Sequence, residues 1–536
     1  MAQILPFDRL IVIDRSGDTA VYLQIANALV HHIRTGVLRR GAQLPGTRDL
    51  SALLGVNRNT IKAALEELQA QGWIVALPRK GIFVASDLPE VKVGRGNRGS
   101  RVAGFRGNGG SGEGISEDGE DRLHGDGGDG NETGDLGAAG GRGAMAAGGG
   151  VANFELLYTD EGNVLDRMRR PGNIFIDDGF PDGRLAPMDV FLREVRSLSG
   201  LPSFRQYMQY GSPLGTDYLI NVLMTYLNDT RGLHITKGRL MITRGVQMGT
   251  YLAANVLLRP GSQVVVGEPG YAYANKTFEK LGAVLNQVPV DDQGIDVSAV
   301  ERLCRKKKIS LLYVMPHHHS PTTVRLSPQR RIQLLELALR YRIAIIEDDY
   351  DYDFHYDSNP VLPMASLDHY GNVIYVGTLS KTLVPAVRLG FMTGPEDFIQ
   401  LAAKRRAIID FQGDAFMELA MAELFRNGTV SRHIHKSVRT YRQRRDHFCG
   451  LLESELGGRI EFRRPEGGMA VWVKWPGVDL ARLSELAAGK GLDISDGRFY
   501  NPPGTNYFGM RMGFASLDER EQEKAIGILR ECMKKF

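Results

Sequence analysis

The chain is short of several things, and each shortage excludes something. Its 536 residues include only three cysteines, Cys304, Cys449 and Cys532. They are odd in number, far apart and at no zinc-ligand spacing, which argues against a disulfide framework and for a reducing compartment. No apolar run approaches the roughly 18 residues that a membrane-spanning helix needs, so no membrane segment is expected. Met1–Asp18 carries Asp8, Arg9, Asp14 and Arg15 among its apolar residues. No signal-peptide core is expected there, and the expected location is the cytoplasm. A dominant charge sign is lacking too: 66 Lys and Arg against 62 Asp and Glu leave +4. That excludes a uniformly basic chain but not a basic patch. A chain of this length, 43% hydrophobic, is expected to form two or three domains.

What the chain has in excess is glycine, and in one place. Of its 64 glycines, 22 fall within residues 94–150. Such a stretch has almost nothing to bury and cannot offset the entropy of ordering it. Residues 87–153 therefore read as a disordered linker between a small unit, residues 1–86, and a large one, residues 154–536. Through Ser86 there are ten Lys or Arg and six Asp or Glu, so the small unit holds the whole net charge. It is the unit suited to an anionic partner.

Within the small unit, Tyr22, Ala26, Leu29 and Ile33 recur at helical spacing and Gly36 closes the run. A second helix fits Thr47–Leu54, with Thr47 as its expected N-cap. A third runs from the cap Asn57 to Gly72, burying Ile61, Ala64, Leu65 and Leu68 and projecting Arg58, Asn59 and Lys62 from another face. Trp73–Leu77 and Ile82–Ala85 form a hairpin around Pro78–Gly81. This is the order of a winged helix-turn-helix, whose third helix enters a DNA major groove. The run from Val21 to Ala85 resembles a GntR-type DNA-binding domain through Leu44-Pro45, Arg48, Leu50, Val56–Thr60, Leu65, Leu68, Gly72, and Gly81 with Phe83-Val84. The resemblance implies that Arg48, Arg58, Asn59, Thr60, Lys62 and the wing pair Lys80-Gly81 contact double-stranded DNA. Arginine and lysine suit phosphates, and Arg58 and Asn59 can read base edges. Gly46 stands where that family often has serine.

The large unit alternates strand and helix. Val246–Leu258, Val297–Lys307 and Ser327–Arg342 read as helices; Gln263–Gly267, Ile309–Met315, Ile343–Ile346 and Val373–Val376 read as strands. The pattern predicts an α/β fold with a mainly parallel sheet covered on both faces and ligands beyond the strands' carboxyl ends. Two such ends carry Lys381, a candidate Schiff-base amine, and Asp348, a fixed negative charge. Pyridoxal phosphate (PLP) needs that pair: an amine for its aldehyde and a carboxylate for its ring nitrogen.

From Phe154 onward the chain resembles a fold-type I, PLP-dependent aminotransferase, with a smaller C-terminal subdomain from about residue 420. With the winged helix in front, the whole resembles the MocR/GabR subfamily of GntR regulators. The resemblance makes Lys381 in Gly-Thr-Leu-Ser-Lys the Schiff-base lysine. It assigns Thr378, Ser380 and Arg388, with the turn Gly245-Val246-Gln247, to the phosphate. Asp348 and Tyr350 fall to the ring nitrogen and ring hydroxyl, and Tyr271 to the ring face. Tyr210 is expected to reach the partner's site in a homodimer, and Arg511 to bind an effector carboxylate. Ser320-Pro321-Thr322-Thr323 stands where the family has Asn-Pro-Thr-Gly, and Val246 replaces a small polar residue.

His317-His318-His319 invites a metal reading, but successive strand residues face opposite ways and no second ligand cluster appears, so no metal is expected. Arg444-Arg445 and Lys306–Lys308 read as solvated helix ends. Two functions compete: a transcriptional regulator whose aminotransferase-like domain senses an amino acid or amine, or PLP itself, and a working aminotransferase with an accessory DNA-binding domain. The fused winged helix and the two departures favour the first. The intact Lys381, Asp348, Tyr350 and Arg388 set counts against a remnant that has lost PLP.

Overall fold

A computed structural model describes residues 7–11, 13, 20–34, 37–77, 81–86, 170–200, 202–356, 361–367, 369–500, 505 and 507–536. The glycine-rich stretch 87–153, the start of the large unit to residue 169, and Lys80 lie outside the described residues.

The small unit has helices α1 (Val21–Arg34), α2 (Thr47–Leu54) and α3 (Arg58–Ala70). Its three-stranded antiparallel sheet is made of β1 (Gln43–Leu44), β2 (Ile74–Leu77) and β3 (Gly81–Val84), in the order β1-β3-β2. Ile25, Leu29, Leu50, Ile61, Ala64 and Leu68 close one core. Asn57 caps α3 by accepting the Asn59 amide at 2.9 Å, satisfying one of the free donors of a first turn. The expected cap at Thr47 is corrected. Gly46 holds the cap position, in extended backbone and with no side-chain bond, and Thr47 is the first helical residue. Glycine has no side-chain oxygen to give, so α2 starts without a side-chain cap.

The large sheet consists of β4 (Leu240–Thr243), β5 (Gln263–Glu268), β6 (Val284–Asp291), β7 (Gly294–Ile295), β8 (Ile309–Val314), β9 (Ala344–Asp349), β10 (Val373–Thr378) and β11 (Gly390–Thr393). The order is β4-β11-β10-β9-β8-β5-β6-β7. Strands β10, β9, β8, β5 and β6 are mutually parallel, while β11 opposes both β10 and β4. The two apolar layers on its faces are separate cores, as near-continuous apolar strands require. The carboxyl ends of β4, β9 and β10 therefore open on one edge.

A second core forms from the antiparallel strands β12 (Glu461–Phe462), β13 (Ala470–Lys474) and β14 (Gly509–Gly513), with the closing helix Glu519–Met533. Residues 420–424 pack into the large-sheet core. The second core begins within the 28-residue helix Thr429–Leu456, whose Val430 lies in the first core and whose Tyr441, Phe448 and Leu452 lie in the second. Ile176 also joins the second core, next to a two-residue parallel pairing of Ile174-Phe175 with Leu492-Asp493.

Two expectations fail here. Arg444 and Arg445 are not solvated; they are 8% and 2% exposed. Arg444 donates to Asp182 at 2.8 Å and also bonds the Ala515 carbonyl; Arg445 donates to the Pro465 carbonyl at 2.9 Å. The three histidines do not alternate on a strand, because β8 ends at Val314 and they follow in a loop, all buried. Among the described residues no helix is long and apolar enough to cross a membrane, and no group of three or more His, Cys, Asp or Glu could hold a metal.

Candidate functional site

β9 carries Asp348, 2% exposed. Its Oδ2 accepts from the Tyr313 hydroxyl at 2.5 Å, while its Oδ1 is buried with no partner. Burial, the Tyr313 bond working against it, and the charges of Asp349 and Asp351 together push its pKa up to about 7. A buried carboxylate with one open oxygen is a receptor for a cationic N–H. Neighbouring Asp349 points to the opposite sheet face. Burial alone would raise it, but His317, Arg231 and Tyr375 hold it at about 2.

β10 ends at Thr378 and feeds Lys381 into the same edge. The Lys381 ammonium donates to the Gly179 carbonyl at 2.7 Å and lies 4.1 Å from the centre of the Phe180 ring. Thr378 Oγ1 donates to the Leu389 carbonyl at 3.2 Å and accepts the Ser380 amide at 3.1 Å. Ser380 Oγ is buried without a partner.

Where β4 ends, Gly245 (φ 79) precedes the helix Val246–Leu257, and no side chain caps that helix. A Cβ on Gly245 would sit 3.1 Å from Arg388 Nη2, which donates to the Arg244 carbonyl at 2.8 Å. Arg388 itself is held at φ 49. An uncapped helix N-terminus, a guanidinium and an unpartnered hydroxyl converge here, the combination that suits a phosphate dianion. The Gln247 side chain turns away to Thr277 at 2.8 Å, so only its backbone remains for an anion.

Tyr350 donates to the His318 carbonyl at 2.6 Å and accepts from Arg511 Nη2 at 3.1 Å. Arg511, 4% exposed, also donates to the carbonyls of Asp178 at 2.8 Å and Pro321 at 3.3 Å. The Tyr271 ring packs 5.6 Å from that of Tyr273. Tyr210 is 87% exposed and lies 5.6 Å from the Phe411 ring. One cavity, of about 710 Å³, is lined by Glu268, Pro269, Thr322, Trp472 and Tyr507 among others, and by none of Lys381, Asp348 or Tyr350. Volume and chemistry disagree, and the convergence of polar groups marks the site better than the void does. Sequence reasoning missed Tyr313, Gly179 and Phe180.

On the helix-turn-helix, Arg48, Arg58, Asn59 and Lys62 are exposed, Thr60 is half-buried, and Gly81 takes φ 111 at the wing. Lys62 lies 3.5 Å from Glu66 one turn on, a weak exposed pair.

Residues 180–529 match the family described as Aminotransferase class I and II. The chain belongs to that family. Residues 21–84 match Bacterial regulatory proteins, gntR family, and together the two modules give the architecture of the MocR/GabR regulators. The chain is 25% identical to the probable rhizopine catabolism regulatory protein MocR of Rhizobium meliloti, over 98% of this chain and 96% of that one. It is 30% identical to aromatic-amino-acid aminotransferase 1 of Thermococcus litoralis, over 61% of this chain and 80% of that one. The solved kynurenine aminotransferase of Pyrococcus horikoshii superposes with a TM-score of 0.63 at 30% identity, covering 68% of this chain and 91% of that one. PLP is the cofactor that this family implies. The open Asp348 oxygen, the Lys381 amine and the uncapped helix beside Ser380 and Arg388 fit its ring nitrogen, aldehyde and phosphate.

Proposed function

We propose that this protein is a PLP-dependent, DNA-binding transcriptional regulator acting in the cytoplasm as a homodimer, and that its aminotransferase-like domain senses an amino acid or amine. One observation carries the reading: an exposed Arg48, Arg58, Asn59 and Lys62 face and a crevice with an open Asp348 oxygen and an unpartnered Ser380 hydroxyl stand on one chain. Relatives that match 94–98% of this chain bear regulator names, while the aminotransferases match 61–70% of it. Tyr210, turned outward, supports a dimer in which it serves the partner's crevice.

Bound PLP supplies an aldehyde that condenses with amines and a ring that draws off electron density. The protein's residues prepare that chemistry. Lys381 presents its amine beside Phe180 and Gly179, and Asp348 keeps a proton on the ring nitrogen. Tyr350 takes the ring hydroxyl, and Ser380, Thr378, Arg388 and the Gly245–Gln247 turn take the phosphate. Arg511 is placed to fix a carboxylate next to Tyr350, and its planar fork suits two parallel bonds. With PLP bound, Lys381 would hold the aldehyde until an amine competed for it, and an amine engaging Arg511 as well would favour whichever arrangement of the domain binds it better.

The competing reading, a turnover aminotransferase, is favoured by the same intact residues. Steady-state transamination with a panel of amino donors and keto acids separates the two. A single slow conversion without sustained turnover, alongside salt-dependent DNA binding, is the expected result. Sustained turnover without DNA binding would overturn the regulator reading.

A further inference from the structure

The winged helix is seated on the large domain through a surface separate from its DNA face. On α3, Glu67 is 1% exposed, on a different side from Arg58 and Lys62. Its Oε1 accepts the Leu362 amide of the large domain at 3.3 Å. On α1, Leu23 is fully buried yet belongs to no part of the winged-helix core. Its Cδ1 lies 4.0 Å from where a Cβ on Gly232 would stand, a point also 3.8 Å from Leu362 Cδ1 and from Ser366 Cβ. A leucine shielded from solvent but outside its own domain's core is covered by the neighbouring domain.

The loop that receives Glu67 is fastened from behind. Glu347 accepts the amides of Met364 and Ala365, both at 2.8 Å. Arg331 donates to the Leu362 carbonyl at 2.9 Å, and His317 Nε2 bonds the Val361 carbonyl. His317 Nδ1 stands 3.2 Å from Asp349. Glu347 and Asp349 share one face of β9, and Asp348 between them faces the other. The loop and the cofactor carboxylate are therefore held from opposite faces of the same strand, by three consecutive residues.

We infer that the α1/α3 surface formed by Leu23 and Glu67 docks on residues 361–366, and that filling the crevice at Asp348 is felt by the docked winged helix through β9. The coupling half rests on the function proposed above; the docking half does not. Desolvation and the nearby Tyr22 fit a closed contact: burial and then the Glu67 charge push the Tyr22 hydroxyl up to about 12.

The test uses the full chain and amide hydrogen exchange read by mass spectrometry, first without PLP and then with it. Leu23→Arg places a charge in the contact, Glu67→Ala removes the acceptor, and Glu67→Gln keeps an acceptor oxygen. Without PLP, exchange in the 361–367 peptide is expected to rise about tenfold in Leu23→Arg and Glu67→Ala and to stay near wild type in Glu67→Gln. Exchange in 309–314 should not move. Unchanged exchange at 361–367 in both disruptive variants would overturn the docking. With PLP, the wild type is expected to change its exchange at 361–367 and 21–34 as well as around Lys381. In Glu67→Ala the 21–34 change should vanish while the one around Lys381 stays. A PLP response in the wild type confined to the crevice would overturn the coupling. A protein that takes up no PLP at all would instead sink the functional reading, while the exchange measured without PLP would still decide the docking.

Discussion

On the proposed function, Asp348 is the residue on which cofactor retention should turn. An ionised carboxylate facing a ring N–H is a charge-assisted bond, so Asp348→Asn should weaken PLP binding roughly ten- to a hundredfold, read by titrating the visible absorption of the bound cofactor. Tyr313→Phe should act in the same direction but less. Its hydroxyl stabilises the charged form, so removing it raises the Asp348 pKa beyond about 7, and PLP binding should begin to fail at a higher pH as pH is lowered. Lys381→Ala should lose the visible band and keep its fold. Arg511→Ala should spare PLP and raise the amino-acid concentration needed for a spectral response by roughly ten- to a hundredfold; equal titrations would make Arg511 structural. Lys381 and Asp348 stood out in the sequence because their types sit in dense motifs at or just past strand ends, and Arg511, in mid-strand, stood out only through its motif. Tyr313 was not, because nothing local says that it meets a residue 35 positions away. The same limit explains Arg444, whose partner Asp182 is 262 positions off. A pair of arginines looks solvated until the chain returns to cover it.

At the scale of elements, periodicity was the informative signal. The Asn57 cap, the α3 stripe and the strands β5, β8, β9 and β10 emerge within a residue or three of their expected bounds. Two-residue strands such as β1 were invisible, since so short a segment has no period. The recognition helix makes a separable prediction. Removing one phosphate-binding side chain from α3 or α2 should flatten the log-affinity against log-salt slope by roughly 0.9. Arg48→Ala and Lys62→Ala should weaken all duplexes alike, whereas Arg58→Ala should also relax sequence preference. Binding by the full chain that ignores salt would contradict the assignment of this face.

For the whole molecule, three buried carboxyls titrate in the same sense. Burial, partly offset by hydrogen bonds and Arg331, carries Glu67 to about 7. Burial and the charge of Asp349 carry Glu347 to about 8, and Asp348 stands at about 7. All three are raised above their unfolded values. Their contribution to stability is therefore fully present below about pH 4 and is lost as pH climbs through 7 to 8. The thermal midpoint of the cofactor-free protein should fall over that range. Glu67→Gln, which cannot ionise, should flatten the fall, and added PLP should offset part of it by binding only the folded state. Domain order was readable from composition, because a glycine-rich stretch separates two patterned regions. That the first region rests against the second was not, since Leu23 and Glu67 look like ordinary helix residues until a second surface arrives.

The helix Thr429–Leu456 has the proportions of a mechanical part. At 1.5 Å per residue it is a rod of about 42 Å, gripped near one end by the large-sheet core at Val430 and along the other by the core around Phe448 and Leu452. Gly428, in left-handed backbone (φ 73), precedes it and is where a pivot would fall. A rod anchored in this way is a lever arm: a turn of about 10° at Gly428 sweeps the far end through about 7 Å. Arg511, on a strand carried by that far body, then travels with it. If Arg511 grips an incoming carboxylate as proposed, that grip and the attitude of the C-terminal body would be one rotation, and a ligand of a few atoms would turn a mass many times its own size.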